Sequence, residues 1–360
     1  MSKTKIKIYG AAFCGNVGDD LIAFVLRKYL QDHFSDSAEV TVIPQQKQHE
    51  EIMNADVLII GGGGLIYDYD MNNVRNYCDA IHTAYSYRVP TYMMGMGVQN
   101  VFSDEAKSLY REELPKLRAI ATRGTMDSQF IIDDLSFNPN RVVTSRDLVF
   151  LYDDVVGKKS HEERSHSKPV LALSLADWKL GKSYEDINKG LNDQYKEYRK
   201  YLDEKLPLLK DVFDVKVVCQ AREDAEICKY LADVFGTEVV SFGSPEDSTR
   251  LVDVYREADY VISNRYHGLI AAIIAGTPVL GVSYSTHKTQ RLISDSFPSI
   301  ESQFYTIGDF VSDDILSRMM ESDYRESICQ PTQSEYDDCV KWARKHAEIL
   351  KYIAGDIARQ

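Results

Sequence analysis

Short apolar runs alternate with helix-like patterns along most of this chain, which predicts an α/β protein built on parallel sheets. In the first half, the predicted strands cover residues 5–11, 55–60, 91–94, 119–122 and 142–145. The run 55–60 (ADVLII) is apolar at nearly every position, as in a parallel strand buried on both faces. Helices are predicted between the strands, beginning with residues 21–30, whose apolar positions recur at helical spacing.

The alternation is interrupted once, at residues 153–168 (DDVVGKKSHEERSHSK), a polar stretch typical of a linker. Beyond it, predicted strands cover residues 170–175, 216–219, 238–242, 260–263 and 278–284. We therefore predict a Rossmann-like domain at 1–152, the linker at 153–168, a second Rossmann-like domain at 169–330 and a helical tail at 331–360. Two such doubly wound domains would face each other across a cleft that holds the active site.

The stretch 258–291 carries the strongest chemical signal. Its predicted helix, residues 266–275, is apolar nearly all round and should therefore be a core helix that stops at Gly276. Arg265, His267 and Lys288 follow the carboxyl ends of predicted strands, the edge at which open α/β sheets bind ligands. Arg265 and His267 also lie at a helix N-terminus, which favours an anion. Alternatively, Arg265 pairs with a carboxylate and His267 caps its own helix.

Three features of the first half follow predicted strands in the same way. The loop 13–20 (FCGNVGDD) suits a tight strand-to-helix turn, but it lacks the GxGxxG dinucleotide fingerprint, so we expect no nicotinamide or flavin cofactor. The glycine run 61–64 either exposes backbone N–H groups to a ligand or permits close packing. Arg123 places a cation after the strand 119–122.

Composition narrows the function classes. The formal net charge of −13 argues against a nucleic-acid-binding protein, and it means that an anionic substrate needs local positive groups. The six cysteines show neither a CxxC pair nor metal-ligand spacing, so we expect reduced thiols and no metal site. Apolar runs are too short for a signal peptide or a membrane span, and we therefore expect a cytoplasmic protein.

Taken together, the motifs resemble those of the polysaccharide pyruvyl transferase family. The matching segments are GNVGDD at 15–20, DVLIIGGGGL at 56–65, GMGV at 95–98, RGTMDS at 123–128, RYHGLI at 265–270 and AGTPVLGVSY at 275–284, followed by Lys288. Their order along the chain is that of the family. Two segments depart from its pattern: Ser174 is followed by Leu-Ala-Asp with no arginine, and Asp147 is followed by Leu-Val in place of Pro-Ala.

The resemblance implies a glycosyltransferase-B-like (GT-B) pair of Rossmann-like domains, with the acceptor on the first and the donor on the second. It implies transfer of a pyruvyl group from phosphoenolpyruvate (PEP) to sugar hydroxyls as a ketal. By the same resemblance, Arg265 and His267 match the family's Arg-x-His motif, which contacts the donor, and Arg123 and Lys288 match further basic positions. We expect His267 and Arg265 to be the catalytic residues. Substrate-binding positions are expected at Arg123, Lys288, Asn16, Asp19, Gly62, Gly63, Gly64 and Asp68.

The residues could support this chemistry without a metal or a cofactor beyond the donor. The cations would hold the phosphate and the carboxylate of PEP, and Asp19, Asp20 or Asp68 would act as base. His267 would act as general acid or, alternatively, would stabilise the departing phosphate. Expected partners are PEP and a sugar, oligosaccharide or lipid-linked acceptor. A lipid-linked acceptor would bring the protein to a membrane surface. The 23 tyrosines suit stacking against sugar rings or the interface of a homo-oligomer. Two alternatives stay open: a GT-B glycosyltransferase that uses a nucleotide-sugar donor, and a non-catalytic sugar-phosphate-binding protein.

Overall fold

A computed structural model describes residues 3–99, 101–159, 167–176, 191–283 and 288–359, with the backbone alone at 191–193. The chain forms two compact units, each described here by itself. The first contains Met1–Cys14, Asp19–Lys158 and Asp337–Gln360. The second contains Gly15–Gly18 and Lys159–Tyr336.

The strands are β1 Thr4–Tyr9, β2 Ala38–Val42, β3 Val57–Ile66, β4 Thr91–Val98, β5 Ala119–Thr122, β6 Val142–Thr144, β7 Val170–Ser174, β8 Asp214–Val218, β9 Val239–Val240, β10 Tyr260–Ser263, β11 Val279–Ser283 and β12 Phe304–Thr306. The helices are α1 Val17–Phe34, α2 Gln48–Met53, α3 Met71–Ser86, α4 Asp104–Glu113, α5 Thr125–Asp133, α6 Tyr152–Val156, α7 Leu191–Lys205, α8 Ala225–Phe235, α9 Arg250–Arg256, α10 Tyr266–Ala275, α11 Lys288–Ser296, α12 Ile307–Ser312, α13 Ile315–Arg318, α14 Ser322–Ser327, α15 Gln333–Ala343 and α16 Ala347–Ile357.

Each unit is built on a six-stranded sheet in which neighbouring strands run parallel. The order is β2-β1-β3-β4-β5-β6 in the first unit and β12-β11-β10-β7-β8-β9 in the second. Apolar side chains of the strands and the flanking helices form a separate core in each unit. The predicted fold class, two Rossmann-like α/β sheets, is therefore confirmed. No helix in the described parts of the chain is both long enough and apolar enough to cross a bilayer.

The glycine run departs from the prediction, because β3 does not end at Ile60 but continues through Gly61–Gly64 to Ile66. The glycines stay in the sheet because β4 runs alongside them, with Gly61 opposite Met94 and Gly63 opposite Met96. The register of the β3–β4 pair shifts between Gly63, whose φ is 103°, and Ile66. The edge strands β2 and β12 are not predicted by the pattern.

The helical tail, predicted as a separate segment, belongs to the first unit from Asp337 onward. Hydrogen bonds hold it there: the Tyr92 hydroxyl donates to Asp356 at 2.6 Å, and Ser145 Oγ donates to the Trp342 carbonyl at 2.9 Å. Arg344 binds both carboxylate oxygens of Asp154, at 2.8 and 2.7 Å. Asp154 lies in α6, so the predicted linker begins inside a helix.

One tail residue makes the stability of this unit depend on pH. His346 is fully buried, its Nε2 lies 3.0 Å from the carbonyl of Arg146, and burial lowers its pKa from 6.5 to about 4. The unfolded chain takes up a proton near pH 6.5, whereas the folded state resists protonation until about pH 4. The free energy of unfolding should therefore be highest above pH 6.5 and fall by up to about 3 kcal/mol towards pH 4.

Urea unfolding at pH 7.5, 5.5 and 4.5 would measure this loss. In His346→Gln, whose amide can still donate to the Arg146 carbonyl, the decline between pH 6.5 and 4 should be shallower than in the wild type. His33 is exposed, so His33→Gln is the control and should keep the wild-type slope. Equal slopes for wild type and His346→Gln would refute the assignment.

Candidate functional site

The carboxyl edge of the second sheet carries both residues that were predicted to be catalytic, together with Lys288, which was predicted to bind substrate. Because β7, β8, β10 and β11 run parallel, the segments that leave them lie at one edge. His267 lies in the first turn of α10, directly after β10 and Arg265. Lys288, half-buried, begins α11 after β11, and residues 284–287 between them lie outside the described parts of the chain. The second unit therefore groups Arg265, His267 and Lys288 at one edge.

Arg265 is held in a fixed position by two carboxylates. Its Nε donates to Asp224 Oδ2 at 2.8 Å and its Nη2 to Asp224 Oδ1 at 2.5 Å, while Nη2 also lies 3.0 Å from Glu223 Oε1. The Asp224 side chain is 1% exposed, whereas that of Glu223 is 63% exposed. The bidentate contact with Asp224 is thus the strong one, and Glu223 is a solvated second partner. Carboxylate pairing, the alternative weighed from the sequence, does occur.

His267 is buried against Gly18 of residues 15–18, which we call the loop 15–18 although its last two residues already form the start of α1. All ten residues of α10 are buried, which confirms the predicted core helix, and the imidazole meets the Tyr266 ring edge-on at 5.2 Å. A methyl group on Gly18 would come 2.3 Å from Nδ1 and 2.7 Å from Cβ of His267. Only glycine fits at position 18, because the backbone there lies directly on the imidazole.

The loop 15–18 is hydrogen-bonded to the chain that follows β8. The Val17 amide donates to the Gln220 carbonyl at 2.8 Å, and the Arg222 amide donates to the Gly15 carbonyl at 2.7 Å. Asn16 forms an antiparallel bridge with Ala221, and its side-chain oxygen accepts from the Gly18 amide at 3.0 Å. Asn16, predicted to bind substrate, therefore shapes the loop beside His267.

A buried polar network lies under the first turn of α10. Gln220 Nε2 lies 2.5 Å from Ser174 Oγ, 2.9 Å from the Tyr255 hydroxyl and 3.5 Å from Ser263 Oγ. A methyl group on Gly268 would come 2.3 Å from Gln220 Nε2, so the network directly contacts the helix. The ends of β7, β8 and β10 are thereby tied together beneath His267.

Three groups near these loops have shifted pKa values. Burial raises the pKa of the Tyr255 hydroxyl above its ordinary value. A hydrogen bond with Cys228 lowers the pKa of the Cys219 thiol, directly before Gln220. In the first unit, burial raises the pKa of the Cys14 thiol, and the nearby carboxylates of Asp19 and Asp20 raise it further.

The remaining predicted residues belong to the first unit, where their described contacts are with the protein. Arg123 is buried, its Nη1 lies 3.4 Å from Asp147 Oδ2, and a methyl group on Gly97 would come 2.1 Å from its Nε. Asp68 accepts hydrogen bonds from the amides of Phe102 (2.7 Å) and Ser103 (2.5 Å). Their contact with substrate stays a prediction.

The glycine run is closely packed. Added methyl groups would come 2.6 Å from Ile22 at Gly62, 3.2 Å from the Asp19 carboxylate at Gly63, and 2.5 Å from Gln99 at Gly64. Gly64 also accepts a hydrogen bond from Gln99 Nε2 at 2.6 Å. These contacts correspond to the close-packing alternative, and ligand binding by Gly62, Gly63 and Gly64 remains untested. Within the described ranges, no group of three His, Cys, Asp or Glu side chains could hold a metal.

Comparison with protein families identifies the chain. Residues 16–286 match the family described as polysaccharide pyruvyl transferase. The chain belongs to the polysaccharide pyruvyl transferase family. The matched range begins at Asn16 and includes Arg123, Arg265 and His267, whereas Lys288 lies two residues beyond it.

Solved structures share the fold of this pyruvyl transferase family member at low sequence identity. A complex of S. aureus MnaA with UDP has a TM-score of 0.57 at 11% identity, covering 99% of this chain and 98% of the other. A glycosyltransferase from Rickettsia africae ESF-5 has a TM-score of 0.54 at 12% identity, covering 98% and 99%. A functionally uncharacterised protein from Klebsiella pneumoniae has a TM-score of 0.51 at 14% identity, covering 84% and 92%. The matches establish a GT-B fold. No curated protein matches the chain significantly in sequence.

Several residues of this candidate site were missed from the sequence. Asp224 and Glu223 fix Arg265, and Gln220 ties the strand ends together. Arg222 is an exposed cation whose Cβ would lie 3.1 Å from a methyl group on Gly15, so it lies beside the loop 15–18. A detectable signal was present: residues 220–224 directly follow the predicted strand 216–219 and are rich in polar side chains, as Arg265 follows the strand 260–263.

Proposed function

We propose that this protein transfers the pyruvyl group of PEP to two hydroxyls of a sugar in a cell-surface polysaccharide or its precursor, forming a cyclic ketal. Membership of a family described as polysaccharide pyruvyl transferase supports the transfer of a pyruvyl group to a polysaccharide, and the PEP donor and the ketal are our proposal. The observation that carries it is the pair Arg265 and His267 at the start of the buried helix α10, with Arg265 fixed by Asp224.

The donor would bind at the N-terminus of α10. PEP carries a phosphate and a carboxylate, and the free N–H groups of a helix N-terminus favour such anions. The phosphate would replace Glu223 on Nη2 of Arg265, because Glu223 is the exposed partner, while Asp224 keeps the guanidinium in place. Arg222 and Lys288 would add positive charge. We leave Arg123 out of this donor site because it pairs with Asp147 inside the first unit.

His267 would be the general acid. Its proton passes to C3 of PEP, which becomes the methyl group, while C2 becomes electrophilic and is attacked by the first sugar hydroxyl. Inorganic phosphate then leaves as its C–O bond to C2 breaks, and the second hydroxyl attacks C2 to close the ketal. One hydroxyl proton replaces the proton given by His267, and the other leaves with the phosphate.

Asp19 is the proposed base for the acceptor hydroxyl. Asp19 directly follows Gly18, which lies against His267.

Nucleotide-sugar transfer is the second candidate, because one matched structure contains UDP and another is described as a glycosyltransferase. Calorimetric titration of PEP and, separately, of UDP-sugars distinguishes the two. The proposal predicts saturable binding of PEP, and phosphate release from PEP once a panel of oligosaccharides includes an acceptor. Binding of a UDP-sugar with no response to PEP would overturn it. Binding of PEP without turnover on any acceptor would instead favour a non-catalytic protein.

A further inference from the structure

Two adjoining depressions on the first unit form a basic surface that the proposed reaction does not use. They have volumes of about 640 and 310 Å³, and both are lined by Arg118. Their linings include six cations and one carboxylate, Asp356. We define the amino-edge patch as Tyr85, Arg88, Lys116, Arg118, Lys351 and Tyr352.

The patch lies at the amino edge of the first sheet. Arg118 immediately precedes β5, and Arg141, which lines the second depression, immediately precedes β6. The residues after the carboxyl ends of these parallel strands, such as Arg123, lie at the opposite edge. The eight residues of β4 span about 25 Å between the two edges. The patch is therefore a separate surface within its unit.

Among the described residues, two of the four cations of the patch, Arg88 and Lys351, supply its unpaired positive charge, whereas Lys116 Nζ lies 2.5 Å from Glu113 Oε1. Arg88 and Lys351 are exposed, and within the described ranges neither side chain makes a hydrogen bond or an ion pair. The Arg118 side chain is 57% exposed, with Asp356 3.3 Å away. In a chain with a net charge of −13, such a concentration of cations creates a local field opposite to that of the whole protein.

Two tyrosine rings accompany the cations. Tyr85 is 60% exposed, with Lys116 Nζ 5.8 Å from its ring centre, and Tyr352 is 46% exposed. An exposed tyrosine presents a rigid apolar face with a polar tip, which suits the face of a sugar ring. The depressions are concave, so they fit a chain better than they fit the flat surface of a bilayer.

We propose that the amino-edge patch binds a segment of an acidic polysaccharide, with its carboxylates on Arg88, Arg118 and Lys351 and its sugar rings on Tyr85 and Tyr352. This inference rests on the proposed function, because each pyruvyl ketal adds one carboxylate to the polymer. A growing product would be repelled by the net negative protein, and the patch offsets that repulsion locally.

Binding of polygalacturonate oligomers to the full chain tests the proposal, with dextran as the neutral probe. The double variant Arg88→Glu, Lys351→Glu should weaken binding at least tenfold, since both side chains are exposed and make no internal contact. The matched control, Lys200→Glu with Lys229→Glu, makes the same change of net charge at exposed positions of α7 and α8 in the second unit and should change affinity less than twofold. Tyr85→Ala with Tyr352→Ala should weaken binding several-fold at constant charge.

Other outcomes are equally decisive. No binding of polygalacturonate, or equal loss in the patch and control variants, overturns the proposal. Binding that is insensitive to the tyrosine variants means nonspecific polyanion attraction and also overturns it. Preferential binding to phosphatidylglycerol vesicles through the same cations assigns the patch to a membrane surface instead. The measurement needs no PEP, so failure of pyruvyl transfer and failure of the patch are observed separately.

Discussion

Arg265→Ala is expected to abolish detectable PEP binding and to lower the free energy of unfolding by about 3 kcal/mol. The loss of stability follows from the 1% exposed Asp224, whose carboxylate loses two guanidinium hydrogen bonds at 2.8 and 2.5 Å. The loss of binding follows because the phosphate of PEP would have no guanidinium to replace Glu223. Calorimetry with PEP and urea unfolding measure the two effects.

Companion variants separate donor binding from stability. Asp224→Ala should keep the cation but misplace it, so PEP binding should weaken about tenfold. The double variant Arg265→Ala, Asp224→Ala should recover part of the stability that Arg265→Ala loses, because no buried carboxylate is then left without its partner. It should not restore PEP binding. Glu223→Ala should leave stability unchanged and tighten PEP binding about threefold, since its side chain is 63% exposed and competes for Nη2.

Two results would contradict this account. Normal PEP affinity in Arg265→Ala would show that the arginine is only structural. Weaker PEP binding in Glu223→Ala would show that the carboxylate is not a competitor of the phosphate.

The strand positions were predictable because burial on both faces leaves a continuous apolar run. Residues 119–122 were predicted as a strand and form β5, and 260–263 form β10, since parallel strands inside a doubly wound sheet have no polar face. The burial of α10 was predictable for a similar reason, because the helix is apolar nearly all round. The position of Arg265 and His267 at the carboxyl edge of the sheet could be predicted because both directly follow such a strand.

Contacts over long sequence separations could not be predicted in the same way. The glycine run 61–64 looks like a loop from composition, yet it stays in β3 because β4 packs against its bare backbone. The pairing of Asn16 with Ala221 joins residues 205 positions apart, and the local pattern of apolar residues does not indicate it. The tail joins the first unit through contacts such as Tyr92 with Asp356. Each of these depends on the completed fold and not on local pattern.

Gly18→Ala should lower the turnover of PEP about a hundredfold through a single methyl group. The φ angle of Gly18 is not in the left-handed region, so the backbone conformation does not exclude alanine. The expected effect therefore arises only from the steric contact of the added methyl group. The methyl carbon would come 2.3 Å from Nδ1 and 2.7 Å from Cβ of His267. Rotating the imidazole cannot relieve the contact with Cβ, so either the loop 15–18 or the start of α10 must shift.

This shift should affect catalysis more than donor binding. If His267 protonates C3 of PEP, a displacement of about 1 Å reduces kcat, while the KM for PEP, governed by Arg265 and the helix N-terminus, changes only a few-fold. Overpacking should also cost about 1–3 kcal/mol of stability. Gly243→Ala is the matched control, because a methyl group there meets no atom within 4 Å and its φ is not left-handed. Equal kcat in the two variants would show that His267 does not carry out the proton transfer. A loss of kcat confined to Gly18→Ala would show that the position of the loop 15–18 affects the reaction at His267.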